Sequence, residues 1–337
     1  MARKTTRREM LTQVGAAAAG LALSSPSWLA GERGRPDEPV EFGSESRVAV
    51  ARDDVLARGK LADHQEFLRK LLDASLQKIC DLSDATEAWG ALFKPKDRVG
   101  IKVNTLGLST QPVVVEAIVK GLLQAGLKEQ NIVVWDRFDI ELDRAGFKLN
   151  RTRRGFQCRG TDAELVGKGY ERPIEVSGQI GSCFSRIVAD EVDALISVPV
   201  LKDHNLAGVS LGMKNFYGAI HNPNKYHDHN CDPYIADVVS HRFIAPKWRL
   251  TICDGTRAQY HNGPGASPGY GWPFNGLIVS NDFVAADAVA AAFVESERKD
   301  RGLPPLAQEN RPTKHIATAG VRGLGESDLG KIRRIEV

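Results

Sequence analysis

Apolar and polar positions along the chain recur with a period of two in some stretches and of three to four in others, which predicts alternating strands and helices. Residues 47–52 alternate apolar and polar side chains and predict a first strand, and residues 63–80 place leucines on one face of an amphipathic helix. Residues 98–104, 112–125 and 131–136 then predict a strand, a helix and a strand. Such an order implies a right-handed parallel crossover.

The second half of the chain continues this alternation. Residues 195–200 predict a buried strand that breaks at Leu201, and residues 138–183, with weak periodicity and many Gly and Arg, predict an irregular insertion or small subdomain. Further strands are predicted at 247–255, 277–280 and 332–337, and further helices at 236–243 and 282–293. The fold class predicted for residues 47–337 is therefore α/β, with a mainly parallel sheet flanked by helices.

The first thirty residues predict a secretory signal. Arg7 and Arg8 precede Met10 and Leu11, and a short apolar run follows at residues 14–23. The paired arginines resemble the twin-arginine export motif, and a run of about ten residues is too short to span a bilayer. We expect export by the twin-arginine machinery to the periplasm or the extracellular space, with no stable membrane anchor after cleavage. Residues 31–46, rich in charge, Gly, Pro and Ser, predict a linker.

The formal net charge of +3 is carried by the predicted signal. The remainder holds equal numbers of basic and acidic residues, so it gives no electrostatic reason to expect nucleic-acid binding.

Polar side chains follow four of the predicted strands at their carboxyl ends. In open α/β sheets, ligands bind outside the carboxyl ends of the strands, so we expect these groups to converge on a site. Lys202, His204 and Asp136 are the candidate catalytic residues. The candidate ligand-binding residues are Lys102, Asn104, Arg137, Lys214, Asn215 and Asp254.

The chemistry of the candidate catalytic residues is open at this stage. Lys202 directly follows a buried strand, so it is either a desolvated general base or an anion-binding cation, unless its ammonium simply reaches water. His204 is an acid–base group, a metal ligand or a structural hydrogen-bonder. The cations around them predict a small anionic ligand.

Imidazole and thiol groups cluster in a segment of turn-forming composition. His221, His227, His229 and Cys231 are ligand types that suit a transition metal, although their spacing matches no structural zinc motif, and the cofactor is otherwise unknown. The five cysteines form no C-x-x-C pair, so the chain has no ferredoxin-type iron–sulfur motif. In an oxidising compartment one or two disulfides are allowed, and mostly buried thiols are expected otherwise.

Several of these motifs together resemble an uncharacterised family, number 362 among the domains of unknown function. The matching stretches are IKVN (101–104), VVWD (133–136), LKDH (201–204), G-x-K-N-x-x-G (212–218), D-x-x-x-x-D (282–287) and GLG (323–325). The resemblance covers residues 47–337 and implies no general reaction. Some family members carry ferredoxin-like cluster motifs and are called iron–sulfur proteins, but this chain lacks those cysteines.

Two functions therefore remain as hypotheses. The first is an exported enzyme that acts on a small anionic substrate, with or without a metal or other cofactor. The second is a non-catalytic periplasmic protein that binds a ligand or handles a cofactor. An iron–sulfur redox role is disfavoured because the cluster motif is missing.

Overall fold

The protein is described by a computed structural model over residues 45–163 and 168–337. The predicted signal peptide and most of the predicted linker lie outside these described residues. The strands are β1 Arg47–Arg52, β2 Val99–Val103, β3 Ile132–Asp136, β4 Gln157–Gly160, β5 Glu175–Ser177, β6 Ile180–Ser182, β7 Ala194–Val198, β8 Val200–His204, β9 Gly208–Val209, β10 Trp248–Gln259, β11 Gly271–Trp272, β12 Gly276–Ser280 and β13 Arg333–Glu336. The α-helices are α1 Gln65–Cys80, α2 Ala85–Leu92, α3 Pro112–Gln124, α4 Asp139–Arg144, α5 Gly212–Asn215, α6 Tyr234–Val239, α7 Phe283–Asp300 and α8 Lys314–Val321.

The main sheet runs in the order β13-β1-β12-β10-β7-β2-β3-β4. Neighbouring strands along this path are parallel except at β12, which is antiparallel to both β1 and β10. The predicted α/β class with a mainly parallel sheet is confirmed. Because β2, β3, β4, β7 and β10 run the same way, their carboxyl ends meet at one edge of the sheet.

Helices cover both faces of this sheet. Helices α1, α2 and α3 pack on one face, where Leu68, Leu72 and Leu76 of α1 are fully buried at helical spacing. Helix α3 begins at Pro112, which suits a first helical turn because proline lacks the N–H that would be unpaired there. The other face is covered by the long α7, whose first half is buried, together with α5, α6 and α8.

The predicted break after β7 is wrong by two residues. The strand stops at Val198 and resumes as β8 at Val200, which pairs with the second half of β10. The interruption falls at Pro199, because proline has no N–H to give to a ladder. As a result Lys202 and His204 belong to a strand, two residues apart and on the same side of it.

The predicted insertion at 138–183 is more ordered than its composition suggested. It contains α4, the edge strand β4, which extends the main sheet beside β3, and a separate two-stranded sheet of β5 and β6. None of the helices among the described residues is both long and apolar enough to cross a membrane.

Candidate functional site

A cavity of about 280 Å³ lies at the carboxyl ends of β2, β3 and β8. Seven of the nine predicted catalytic and ligand-binding residues line it: Lys102, Asn104, Asp136, Arg137, His204, Lys214 and Asn215. The convergence of the strand ends is therefore seen for seven of these residues, whereas Lys202 and Asp254 lie outside the lining.

A buried ion pair forms the floor of the cavity. The Nζ of Lys102 donates to Asp136 Oδ1 at 2.6 Å, and both side chains are almost fully buried. Asp136 also accepts from the backbone N–H and hydroxyl of Thr105 and from the N–H of Arg137, so each of its oxygens has two donors. Burial lowers the pKa of Lys102, and the neighbouring Asp136 opposes that shift.

Asn215 and Gly218, which follow β9 in the chain, pack closely against this ion pair. The side-chain oxygen of Asn215 accepts from Lys102 at 3.2 Å, and its amide donates to Lys102 O and Ser197 Oγ. A Cβ at Gly218 would lie 2.8 Å from Asp136 Oδ1 and 2.8 Å from Lys102 Cε, so only glycine fits there. Asn215 thus orients the side chain of Lys102 within a hydrogen-bonded network.

Lys202 bonds two loops that contribute Leu106 and Pro264 to the cavity wall. Its Nζ donates to Asn104 Oδ1 at 3.0 Å and lies within hydrogen-bond distance of three backbone carbonyls: Leu106 O (2.6 Å), Leu108 O (2.8 Å) and Pro264 O (3.3 Å). Burial lowers the pKa of Lys202 to about 7, whereas four acceptors around the nitrogen favour the protonated form. The structure therefore corrects the interpretation of Lys202 as a group that reaches the ligand: its ammonium cross-links two loops.

Asp254 also has a structural environment. One of its oxygens accepts from the N–H of Gln111 at the start of α3, and the other accepts from the N–H and hydroxyl of Thr256. Burial raises the pKa of Asp254, and these hydrogen bonds oppose that shift. Its predicted place in the ligand site is corrected, because β10 continues past it and turns its side chain toward α3.

The ring of His204 is held in one orientation by its own loop. Its Nδ1 accepts from the backbone N–H groups of Leu206 and Ala207, at 3.1 and 3.2 Å. Burial, followed by the nearby Lys214, lowers the pKa of His204 to about 2, so the ring is neutral. Since Nδ1 is the acceptor, the neutral ring carries its proton on Nε2. His204 can therefore donate a hydrogen bond in the cavity but cannot serve there as a base.

Lys214 and His227 form a second pair on the cavity wall. The Nζ of Lys214 lies 3.1 Å from His227 Nε2 and 4.1 Å from the centre of the Tyr217 ring. His227 Nδ1 lies 3.2 Å from Pro223 O, which places the ring proton on Nδ1 and leaves Nε2 to accept from the lysine. Burial lowers the pKa of Lys214 to about 8 and that of His227 to about 4. Within the described residues, no carboxylate pairs with this lysine.

Arg137 supplies a third cation to the lining. Its guanidinium stacks on Phe138 at 4.6 Å and interacts with the Tyr170 phenol, but its buried Nε has no hydrogen-bond partner among the described residues. Buried polar groups without partners are rare in folded proteins. Arg137 thus lines the cavity with a guanidinium whose Nε donor has no partner among the described residues.

The predicted metal ligands do not assemble. His221 is exposed and packs edge-on against Tyr170, and His227 bonds Lys214. His229 is exposed as well, while the thiol of Cys231 is buried and points toward His227 O. Across residues 45–163 and 168–337, no group of three or more His, Cys, Asp or Glu side chains could hold a metal ion. Residues 223–231 form two short 3-10 helices rather than one extended segment, so the predicted facing of these side chains toward one ion is not realised.

All five cysteines are free, three of them buried, and the remaining two partly so. None lines the cavity. The expectation of mostly buried thiols is therefore confirmed, and the allowed disulfides are not formed.

A carboxylate on α7 fixes the segment that carries Lys214. Asp287, which is 1% exposed, accepts from the N–H groups of Gly212 and Met213 at the start of α5, at 2.7 and 2.9 Å. A Cβ at Gly212 would lie 2.9 Å from Asp287 Oδ1, so the close approach needs glycine. These contacts occupy two backbone donors at the start of α5. Burial raises the pKa of Asp287 to about 7.

Several lining residues were not predicted as site residues from the sequence, among them Glu141, Ser210 and Phe138. Glu141 on α4 accepts weakly from Thr105 Oγ1 at 3.5 Å, and burial, followed by Asp136, raises its pKa. Ser210 and Phe138 also line the cavity. Glu141 and Phe138 follow the β3 strand end closely, so that strand end was the available signal. Ser210 lies in the glycine-bearing segment 208–215, from which the sequence singled out only Lys214 and Asn215.

The part of the chain that builds this cavity matches a known protein family. Residues 95–292 match the family model described as a domain of unknown function, DUF362. Among solved structures, the chain is similar to the crystal structure of a Thermotoga maritima protein, with 13% identity and a TM-score of 0.44. The alignment covers 68% of this chain but only 59% of the Thermotoga protein. No curated protein matches the chain. The family model spans more than half of the sequence and includes the strand ends that build the cavity, so the chain belongs to the uncharacterised family DUF362.

Proposed function

We propose that this chain is an enzyme that binds a small anionic substrate in the cavity at the carboxyl ends of β2, β3 and β8. The observation that carries the proposal is that two cations of the lining have no ion-pair partner among the described residues. Among the described residues, the buried Nε of Arg137 has no hydrogen-bond partner, and Lys214 has the neutral His227 ring as its hydrogen-bonding partner and no carboxylate beside it. A bound carboxylate or similar anion would satisfy both groups.

The charges of the lining support this choice of ligand. Lys102 is neutralised by Asp136, and burial raises the pKa of Glu141, the second carboxylate of the lining, which forms no ion pair with Arg137 or Lys214 among the described residues. The positive charge of Arg137 and Lys214 therefore remains to be balanced. A cavity of about 280 Å³ with Phe138, Leu106 and Pro264 in its wall suits a compact organic anion.

We assign the roles of the site as follows. Arg137 and Lys214 hold the anion, and the Nε2–H of His204 donates to an oxygen on which negative charge develops. A neutral histidine held in one tautomer suits this electrophilic role, because it polarises a carbonyl without first having to be deprotonated. Asp136 and Lys202, which the sequence suggested as catalytic groups, become parts of the supporting frame.

Calorimetric titration of the purified full chain with small anions tests the proposal. The panel contains acetate, lactate, pyruvate, malonate and inorganic phosphate, and the variants are R137Q and R144Q. Arg144 is an exposed arginine on α4, so R144Q is the matched control. We expect at least one carboxylate to bind wild type and R144Q alike and to bind R137Q at least about tenfold more weakly, a loss of about 1.4 kcal/mol. Equal affinity of all three proteins would contradict the proposed site.

Turnover separates the enzyme from a non-catalytic binding protein. The natively exported protein is incubated with each anion that binds, and products are followed by mass spectrometry. Conversion that disappears in the R137Q variant supports an enzyme. Tight binding without conversion of any ligand in the panel favours the non-catalytic alternative.

We also propose that the protein is exported by the twin-arginine route. The support lies in Arg7, Arg8 and the apolar run at 14–23, all outside the described residues. Replacing both arginines by lysine tests this: the full-length chain is expected to accumulate in the cytoplasm, whereas the parent sequence is recovered from the periplasm. Equal periplasmic recovery of both would contradict this route.

A further inference from the structure

The arrangement around Lys214 points to covalent chemistry rather than to charge alone. Its Nζ lies on the wall of the cavity, 3.1 Å from His227 Nε2, and His227 is itself oriented by Pro223 O. A nucleophile within hydrogen-bond distance of a base, with a third group that orients the base, is the arrangement found in covalent catalysis. We propose that Lys214 forms an imine with a small 2-oxo acid bound in this cavity. The inference rests on the proposed anion-binding function and names its substrate class.

Among the buried lysines, the contacts select Lys214 as the nucleophile. Lys102 is ion-paired with Asp136 at 2.6 Å and also donates to Val103 O and Asn215 Oδ1, so its three protons are engaged. Lys202 is held by Asn104 and three carbonyls and lies outside the lining. Lys214 alone of these three has a neutral nitrogen base as its hydrogen-bonding partner.

Burial of Lys214 also favours its nucleophilic form. Desolvation lowers the pKa of this lysine to about 8, so about one tenth of the amine is unprotonated at pH 7, far more than for a lysine in water. The attacking lone pair belongs to this neutral form.

The other lining groups define the substrate class. An imine needs a carbonyl carbon, and the guanidinium of Arg137, whose Nε has no hydrogen-bond partner among the described residues, favours an anionic group beside it. Because Arg137, His204 and Lys214 share one cavity of about 280 Å³, a single compact molecule must carry both groups. A 2-oxo acid does so with the carboxylate next to the carbonyl. Its carboxylate would lie on Arg137, and its carbonyl oxygen would accept from His204 Nε2–H.

The step balances without a further reactant. The neutral amine of Lys214 attacks the carbonyl carbon, and the electron pair of the C–O π bond moves to oxygen. The two hydrogens of the amine leave with that oxygen as one water molecule, with His227 Nε2 passing a proton between nitrogen and oxygen. The product is a C=N bond to Lys214 and one water molecule.

Reductive trapping tests the inference on the intact full chain. The protein is incubated with pyruvate, 2-oxobutyrate or 2-oxoglutarate and with sodium cyanoborohydride, which reduces an imine to a stable secondary amine. Peptide mapping by mass spectrometry then locates the adduct, which adds about 72 Da for pyruvate. We expect one adduct per chain, on Lys214, at about ten times the occupancy of the exposed Lys225, which serves as an internal control.

Variants and calorimetry separate this inference from the proposed function. K214R keeps the positive charge, so it is expected to bind the 2-oxo acid and to give no adduct, whereas K225R should be labelled on Lys214 like wild type. If the acids bind but none labels Lys214 above Lys225, the imine is overturned and the anion site stands. If they neither bind nor label, both proposals fail. Should K214R not fold, the ratio of the two lysines in the wild-type map still decides.

Discussion

The Nζ of Lys102 lies 2.6 Å from Oδ1 of Asp136, with both side chains buried at the carboxyl ends of neighbouring parallel strands. The two charges of this ion pair neutralise each other, and Thr105, Asn215 and Gly218 enclose the pair. It therefore builds the floor of the cavity and leaves Arg137 and Lys214 to meet a ligand. A buried pair of this kind fixes geometry more than it adds stability, since desolvation offsets much of the attraction.

The first prediction concerns the protonation of His204. Because burial lowers its pKa to about 2 and Nδ1 accepts two backbone N–H groups, the ring stays neutral from pH 5 to pH 8, with its proton on Nε2. Long-range ¹⁵N–¹H correlation spectra of histidine-labelled protein report both properties. A ring that titrates near the ordinary value of about 6.5, or that carries its proton on Nδ1, would contradict the proposed donor role.

The sequence predicted this cavity through its strand ends. Lys102, Asp136 and Arg137 each lie at or near the end of an apolar run that was predicted as a strand, and parallel strands bring such ends together. The directions in which the side chains of the site point were harder to predict. Lys202 has the same local pattern as Lys102, but its acceptors lie about a hundred residues earlier, at Asn104, and about sixty residues later, at Pro264.

Contacts between residues far apart in the sequence also explain the other differences between prediction and structure. The carboxylate of Asp287 reaches Gly212 across the core from α7, and no local periodicity encodes that contact. His227 looked like a metal ligand because imidazoles and a thiol surround it in sequence. In the folded chain its nearest polar partner is Lys214, thirteen residues earlier.

The second prediction concerns pH and anion affinity. Lys214 has a pKa lowered to about 8, so it carries its charge below that pH and loses it above. Affinity for the carboxylate identified by calorimetry should therefore be highest below pH 8 and fall as the pH rises through it. K214R should keep its affinity up to pH 10, because guanidinium stays charged. If the affinity of both proteins fell in parallel, the titrating group would not be Lys214. The ionisable groups that surround this lysine are His227, Tyr217, Cys231, His204, His315 and Lys202.

The third prediction concerns the cross-link made by Lys202. K202M removes the donor from Leu106 O, Leu108 O and Asn104 Oδ1, and buried acceptors without partners cost about 1–3 kcal/mol. We expect a lower free energy of unfolding in urea and weaker anion binding, because Leu106 lines the cavity. K225M, at an exposed lysine, is the control and should match wild type. If K202M keeps its stability yet loses all turnover, Lys202 is a catalytic group after all.

The fourth prediction tests Asp287 as a positioning residue. In D287N one side-chain oxygen is replaced by an NH₂ that faces a backbone N–H of Gly212 or Met213, so the start of α5 should shift. We expect anion affinity to fall at least about threefold, since even about 0.7 kcal/mol of misplacement gives that factor.

The control for Asp287 lies on the same helix. Asp282 caps α7 through Val284 and Ala285 and does not line the cavity. D282N should lower the melting temperature while leaving the affinity of the folded protein unchanged. If both variants lose affinity in proportion to their loss of stability, Asp287 has no special link to the site.

The central claim is that Arg137 and Lys214 bind one and the same anion, and a double-mutant cycle measures this most directly. The affinity of the best carboxylate is determined by calorimetry for wild type, R137Q, K214M and the double variant at pH 7. If both cations contact one anion, the two losses are not additive, and the coupling energy should exceed about 0.5 kcal/mol. Strictly additive losses, or affinities unchanged by either substitution, would contradict the account.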